Sequence, residues 1–128
     1  MIISDDMMRY YIGDITSGYF SHHDVPADNV TEYAPFIENM RKLANLHGDL
    51  DYLRLGLEYL LAHPEIELLP FAHGDSYPYW EEQIREIIEY AWKMLWPNAL
   101  PISPGGPSGV ELVPMSLEEW WRHTGHRP

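Results

Sequence analysis

Histidine and aspartate recur in this sequence in groups that could bind a metal. The triplet His-Gly-Asp occurs at 47–49 and again at 73–75, and a third group reads His22-His23-Asp24. Imidazole nitrogens and carboxylate oxygens are ligands of divalent transition metals. If these segments converged, they could form a centre for metal-assisted hydrolysis.

The triplet at 47–49 also has a simpler interpretation as a helix boundary. His47 suits the C-terminus of a helix, Gly48 a left-handed stop, and Asp49 the N-cap of the next helix. Since all three residues are explained without a metal, we predict that the protein has no metal site, no cofactor and no catalytic residues.

The dipeptide His23-Asp24 resembles the His-Asp dyad of HD-type phosphohydrolases, which are all-helical metal enzymes. The resemblance implies a metal-dependent hydrolase as an alternative function. Its candidate residues are His22, His23, Asp24, His47 and His73. Those enzymes also use a histidine upstream of the dyad, and this chain has none before His22.

Other catalytic arrangements are missing from the sequence. The adjacent acids Glu81 and Glu82 would point about 100° apart on a helix, so they do not form an acid/base pair. Gly105-Gly106 is flanked by prolines and lacks the lysine of a phosphate loop. There is no cysteine, which excludes a thiolate nucleophile or metal site and a disulfide framework. We therefore predict a protein that is not an enzyme.

The net charge is −12, from 20 acidic and 8 basic residues. Such a chain is poorly suited to nucleic acid backbones, which are bound by Lys and Arg, and to anionic membranes. It suits a basic protein partner, because complementary fields steer encounter. Residues 43–92 hold ten acids and two bases, so the middle of the chain carries most of this field.

The stretch 78–97 predicts the helix around which we expect the chain to be organised. Its apolar residues recur with the helical period and include two tryptophans, so one wide face should be buried. That inner face consists of Trp80, Ile84, Ile87, Ile88, Ala91, Trp92 and Leu95. Pro78 suits the first helical position and Pro97 ends the helix. The opposite face is charged.

Three further helices are predicted. One runs from Thr31 to His47 with Thr31 as N-cap, and Gly48 ends it. A second, leucine-rich helix runs from Leu50 to His63 before Pro64. Ser116-Leu117-Glu118-Glu119 is a capping box that starts a short C-terminal helix, which Gly125 ends.

Two segments remain ambiguous. The run Met7–Ile15 could be a strand or a short helix, and Tyr10-Tyr11-Ile12 favours a strand followed by a turn at Gly13-Asp14. After Pro97 the chain is either an irregular loop or a hairpin that pairs 99–102 with 110–113. The expected fold is therefore mainly α: one domain over 1–128, a bundle of three to four helices with a minor β-hairpin near the C-terminus. We find no secretory signal and no transmembrane run, and expect a cytoplasmic protein.

Aromatic residues precede the acidic helix. Tyr and Trp are over-represented at protein interfaces, although such rings can also simply cap a core. We predict a partner-binding surface made of Asp75, Tyr77, Tyr79, Glu82, Glu86 and Glu89.

In its size, acidity, lack of cysteine and mixture of tyrosines with acids, the chain resembles small bacterial toxin-immunity proteins. These are cytosolic inhibitors that bind and neutralise a cognate toxin, often a basic nuclease. The resemblance implies the same kind of partner here. It carries no motif, so no residue is assigned from it. An alternative in the same class is a phage-encoded inhibitor that mimics DNA charge, such as an anti-CRISPR protein.

Overall fold

A computed structural model describes residues 1–73 and 76–125. The fold is mainly helical with a small two-stranded sheet, which confirms the predicted class. Across the described residues, none of the helices has the length and apolar character needed to cross a membrane. The elements in chain order are β1 Ile2–Ser4, α1 Asp5–Phe20, α2 Ala34–Leu46, α3 Leu50–Ala62, α4 Glu81–Leu95, β2 Glu111–Val113 and α5 Leu117–Thr124. Two 3-10 turns, Val30–Tyr33 and Leu69–Ala72, precede α2 and α4.

The strand favoured at Tyr10-Tyr11-Ile12 is wrong, and the helical alternative is found, because the whole run Met7–Ile15 lies inside α1. The Ser4 hydroxyl caps the helix by accepting from the Met7 amide at 3.1 Å, and two aspartates follow in the first turn. Both features favour a helix N-terminus. The predicted turn at Gly13-Asp14 is also helical. A Cβ at Gly13 would overlap the ring of His73, so glycine here serves a close approach.

Of the two alternatives for the segment after Pro97, the hairpin is wrong. Residues 111–113 do form a strand, but β2 pairs in parallel with β1 at the other end of the chain, Ile3 opposite Leu112. The segment 99–110 contains three prolines that cannot donate to a ladder, so it stays irregular.

The start of α2 differs from the prediction by one turn. Asn29, rather than Thr31, is the cap: its side-chain oxygen accepts from the Thr31 amide at 2.9 Å. Glu32 accepts from the Asn29 amide at 3.1 Å in return. This reciprocal pair starts the 3-10 turn that leads into α2. Gly48 ends α2 with a φ of 74°, which confirms that assignment.

Helix α4 has the predicted inner face except at its start. Ile84 and Ile88 are fully buried and Trp92 is 9% exposed, but Trp80 is 74% exposed. Trp80 precedes the helix with extended backbone angles, so its side chain leaves the helical period. Pro78 also lies outside the helix. The inward assignment of Trp80 was therefore wrong.

Ile88 lies on the inner face of α4 and is fully buried in the core. We therefore expect Ile88→Ala to lower the free energy of unfolding by about 2–5 kcal/mol. Urea denaturation measures this. The control is Leu100→Ala, since Leu100 is 83% exposed and its truncation should change stability by less than about 0.5 kcal/mol. Similar losses in both variants would contradict the assigned face.

Candidate partner-binding surface

Within the described residues, His22-His23-Asp24 and the triplet at 47–49 do not converge. His47 is buried, its ring centroid 5.0 Å from Trp121 and 6.1 Å from Tyr10 on α1. His22 follows the far end of that helix, and the ten residues from Tyr10 to Phe20 span about 15 Å. Within residues 1–73 and 76–125, no three His, Cys, Asp or Glu side chains are grouped to hold a metal. The second triplet extends outside the described residues, so the prediction of no metal stays a prediction.

Asp49 is the most buried acid of the described chain, with no exposed surface. Its Oδ1 accepts from Trp120 Nε1 at 2.9 Å, and its Oδ2 accepts from Trp121 Nε1 at 2.8 Å and from the Tyr11 hydroxyl at 2.5 Å. Asp49 occupies the N-cap position of α3, but its side chain makes no capping hydrogen bond. The predicted capping role is therefore wrong.

The hydrogen bonds of Asp49 link separate parts of the fold. Both carboxylate oxygens are used by neutral donors, and solvent does not reach them. The donors come from α1 and α5, so one carboxylate joins these helices to the turn between α2 and α3. The pKa of Tyr11 is raised, mainly because the phenol is buried and in addition because its hydroxyl donates a hydrogen bond to Asp49.

We expect Asp49→Asn to destabilise the protein although it keeps the shape of the side chain. Either orientation of the amide turns its NH2 group toward an indole N–H, and each unpaired donor costs about 1–3 kcal/mol. The control is Asp51→Asn, an exposed aspartate in the first turn of α3, whose loss should cost at most about 1 kcal/mol. Urea unfolding followed by tryptophan fluorescence compares them. A loss at Asp49 no larger than at Asp51 would contradict this role.

The two predicted tyrosines of the surface are placed differently from each other. Tyr79 is buried, and its hydroxyl lies 3.0 Å from that of Tyr33. Tyr77 is half-buried and stacks on Phe20 with ring centroids 4.6 Å apart. Tyr79 therefore belongs to the core and not to the partner surface. Asp75, predicted beside them, lies outside the described residues.

The pKa of Tyr79 is also raised, mainly because the phenol is buried and in addition because its hydroxyl is hydrogen-bonded to that of Tyr33. A group whose pKa is raised by folding contributes stability below its unfolded pKa, which is lost as the pH rises above that value. We therefore expect stability to fall above about pH 10, by about 1.4 kcal/mol per pH unit for each of Tyr11 and Tyr79. Urea unfolding at several alkaline pH values tests this. Tyr11→Phe and Tyr79→Phe should each reduce the slope, and an unchanged slope in both would contradict it.

The three predicted glutamates form an exposed acidic stripe along α4: Glu82, Glu86 and Glu89. Their spacing of four and three residues puts them on one face. Glu89 accepts from Lys93 Nζ at 2.8 Å, so part of the stripe is neutralised in the free protein. Glu81 does not belong to it, because its carboxylate accepts from the amides of Leu68 and Leu69 and is turned toward the body.

A groove runs along this stripe, with the loop before α2 as its other wall. It consists of two cavities of about 320 and 130 Å³ that share Val30 and Glu86. The larger is lined by Val30, Glu82, Arg85, Glu86, Glu89, Tyr90 and Lys93. The smaller is lined by Ala27, Asp28, Val30, Tyr33, Gln83, Glu86 and Ile87. We call these residues together the α4 groove.

The α4 groove combines charged rims with apolar lining. Four acids and two bases line it, and Val30 and Tyr90 supply apolar surface. Sequence reasoning missed the second wall, including Asp28. The spacing of Asn29 and Glu32 was the available sequence signal, because these two residues form the cap that fixes the loop entering α2.

Comparisons with protein-family models, curated proteins and solved structures gave no match to this chain. The candidate surface is therefore inferred only from the contacts and charges of the chain itself. The acidic stripe is exposed, and so is the indole of Trp80, which lies one residue before the same helix.

Proposed function

We propose that this protein is an inhibitor of the toxin-immunity type, which binds a basic partner protein through the α4 groove and blocks its activity. The observation that carries the proposal is the acidic stripe of Glu82, Glu86 and Glu89, exposed along one wall of a groove with apolar lining. Asp28 adds a fourth carboxylate, which lines the smaller cavity of the groove.

The composition of the groove favours a protein partner. Carboxylates on the rim attract Lys and Arg of an approaching protein, and they mainly accelerate association. Apolar atoms of Val30 and Tyr90 offer contact area that loses water on docking. Arg85 and Lys93 lie on the same surface, so the groove would discriminate among basic partners by the positions of their charges rather than bind any cation.

A basic nuclease is the partner class that fits this surface and the acidity of the chain. A nuclease carries Lys and Arg where it binds phosphates. A row of carboxylates can occupy the same cationic cleft and exclude the nucleic acid. The proposed mechanism of neutralisation is therefore direct competition for that cleft, with no chemistry contributed by the inhibitor.

The test is a triple charge reversal, Glu82→Lys, Glu86→Lys and Glu89→Lys. With the product of the adjacent gene as the candidate partner, we expect association at low salt to slow by about tenfold or more and to lose most of its salt dependence. The matched control reverses Glu65, Glu67 and Glu111, which are exposed elsewhere and change the net charge equally. Stopped-flow association at two salt concentrations compares the variants.

Equal slowing in both triple variants would show that only net charge matters and would overturn the groove as the site. Unfolding measurements should show both variants folded, because exposed substitutions usually change stability by less than about 0.5 kcal/mol each. If the adjacent gene product neither binds nor is neutralised, the proposal fails for that partner class.

A further inference from the structure

Trp80 is the most exposed aromatic residue in the described part of the chain, at 74%. The fold does not require its indole. The backbone amide of Trp80 donates to Gln83 Oε1 at 2.8 Å, and its carbonyl accepts from the Gln83 amide at 3.0 Å. The start of α4 is therefore organised by backbone groups and Gln83 rather than by the indole.

The other four indoles all have an internal partner. Three of them donate from Nε1 to a carboxylate of the core or its margin: Trp92, Trp120 and Trp121. The ring of Trp96 lies 6.0 Å from the guanidinium carbon of Arg54. Trp80 has neither kind of partner among residues 1–73 and 76–125.

An exposed indole of this kind has the properties of a binding anchor. Trp is the residue type most enriched among interface hot spots, and its ring face attracts cations more strongly than Tyr or Phe. Glu82 lies two residues further on, exposed, in the first turn of the helix. An aromatic face with a carboxylate close by in the chain suits a guanidinium group, which stacks on a ring and donates to a carboxylate in the same plane.

We propose that Trp80 is the anchor of the partner interface and that it receives an arginine side chain of the basic partner, whose guanidinium stacks on the indole while donating to Glu82. This inference rests on the proposed function, since it names the side chain that the partner presents. Two other occupants are disfavoured by charge. A second copy of this chain would bring a further −12, and an anionic membrane would also repel it.

The test uses 15N-labelled protein and two defined probes, an acetylated hexapeptide of alternating Arg and Ser and the same peptide with Lys. The indole N–H signal of Trp80, assigned from Trp80→Phe, should shift on titration with the arginine peptide, and several-fold less with the lysine peptide. The four other indole signals should stay in place. Glu82→Gln should weaken the arginine response, whereas Glu67→Gln, a change at another exposed acid, should leave it unaltered.

Equal responses to the two peptides, or peptide binding without a shift of the Trp80 signal, would overturn the inference. A shift that follows protein concentration in the absence of peptide would also overturn it, because the occupant would then be a second copy.

With the real partner, Trp80→Ala should accelerate dissociation by about tenfold or more, because a buried anchor acts on that rate. If the triple reversal of the stripe slows association while Trp80→Ala leaves dissociation unchanged, the anchor is wrong and the proposed function stands. If neither variant changes binding, both are wrong.

Discussion

The buried carboxylate of Asp49 is the interaction on which the arrangement of the helices depends. An isolated carboxylate is costly to remove from water, so it is retained only where its oxygens are well bonded. Here the Tyr11 hydroxyl and two adjacent indoles supply three donors. Because the two indoles belong to α5 and Tyr11 to α1, the charge can be satisfied only when the C-terminal helix is docked.

The middle and the C-terminal end of α1 have different roles. In the middle, Tyr11 joins the polar junction with Asp49. At its far end, Tyr19 packs on Tyr33, whose hydroxyl accepts from the Ala27 amide at 3.0 Å and contacts that of Tyr79. These contacts hold the loop before α2 beside the start of α4, and that juxtaposition makes the groove. The groove is thus a consequence of aromatic packing, although its rim is acidic.

Sequence patterns predicted the elements that depend on local periodicity and caps. The inner face of α4, the stop at Gly48 and the cap at Ser116, which accepts from the Glu119 amide, are all local. What could not be predicted is non-local. The pairing of β1 with β2 joins residues more than a hundred positions apart. Asp49 had an adequate local explanation as a cap, and nothing near it indicated that three distant donors would claim its side chain.

Trp80 was wrongly assigned to the buried face of α4 for a related reason. Periodicity describes a residue only while its backbone is helical, and Trp80 lies one residue before α4 begins. The indole that the period would bury is therefore exposed. Since the fold is held by Asp49, the α1 aromatics and the inner face of α4, changes at Trp80 or the stripe leave those contacts intact. The core contacts and the exposed stripe thus occupy separate residues, so substitutions at Trp80, Glu82, Glu86 or Glu89 should cost little stability.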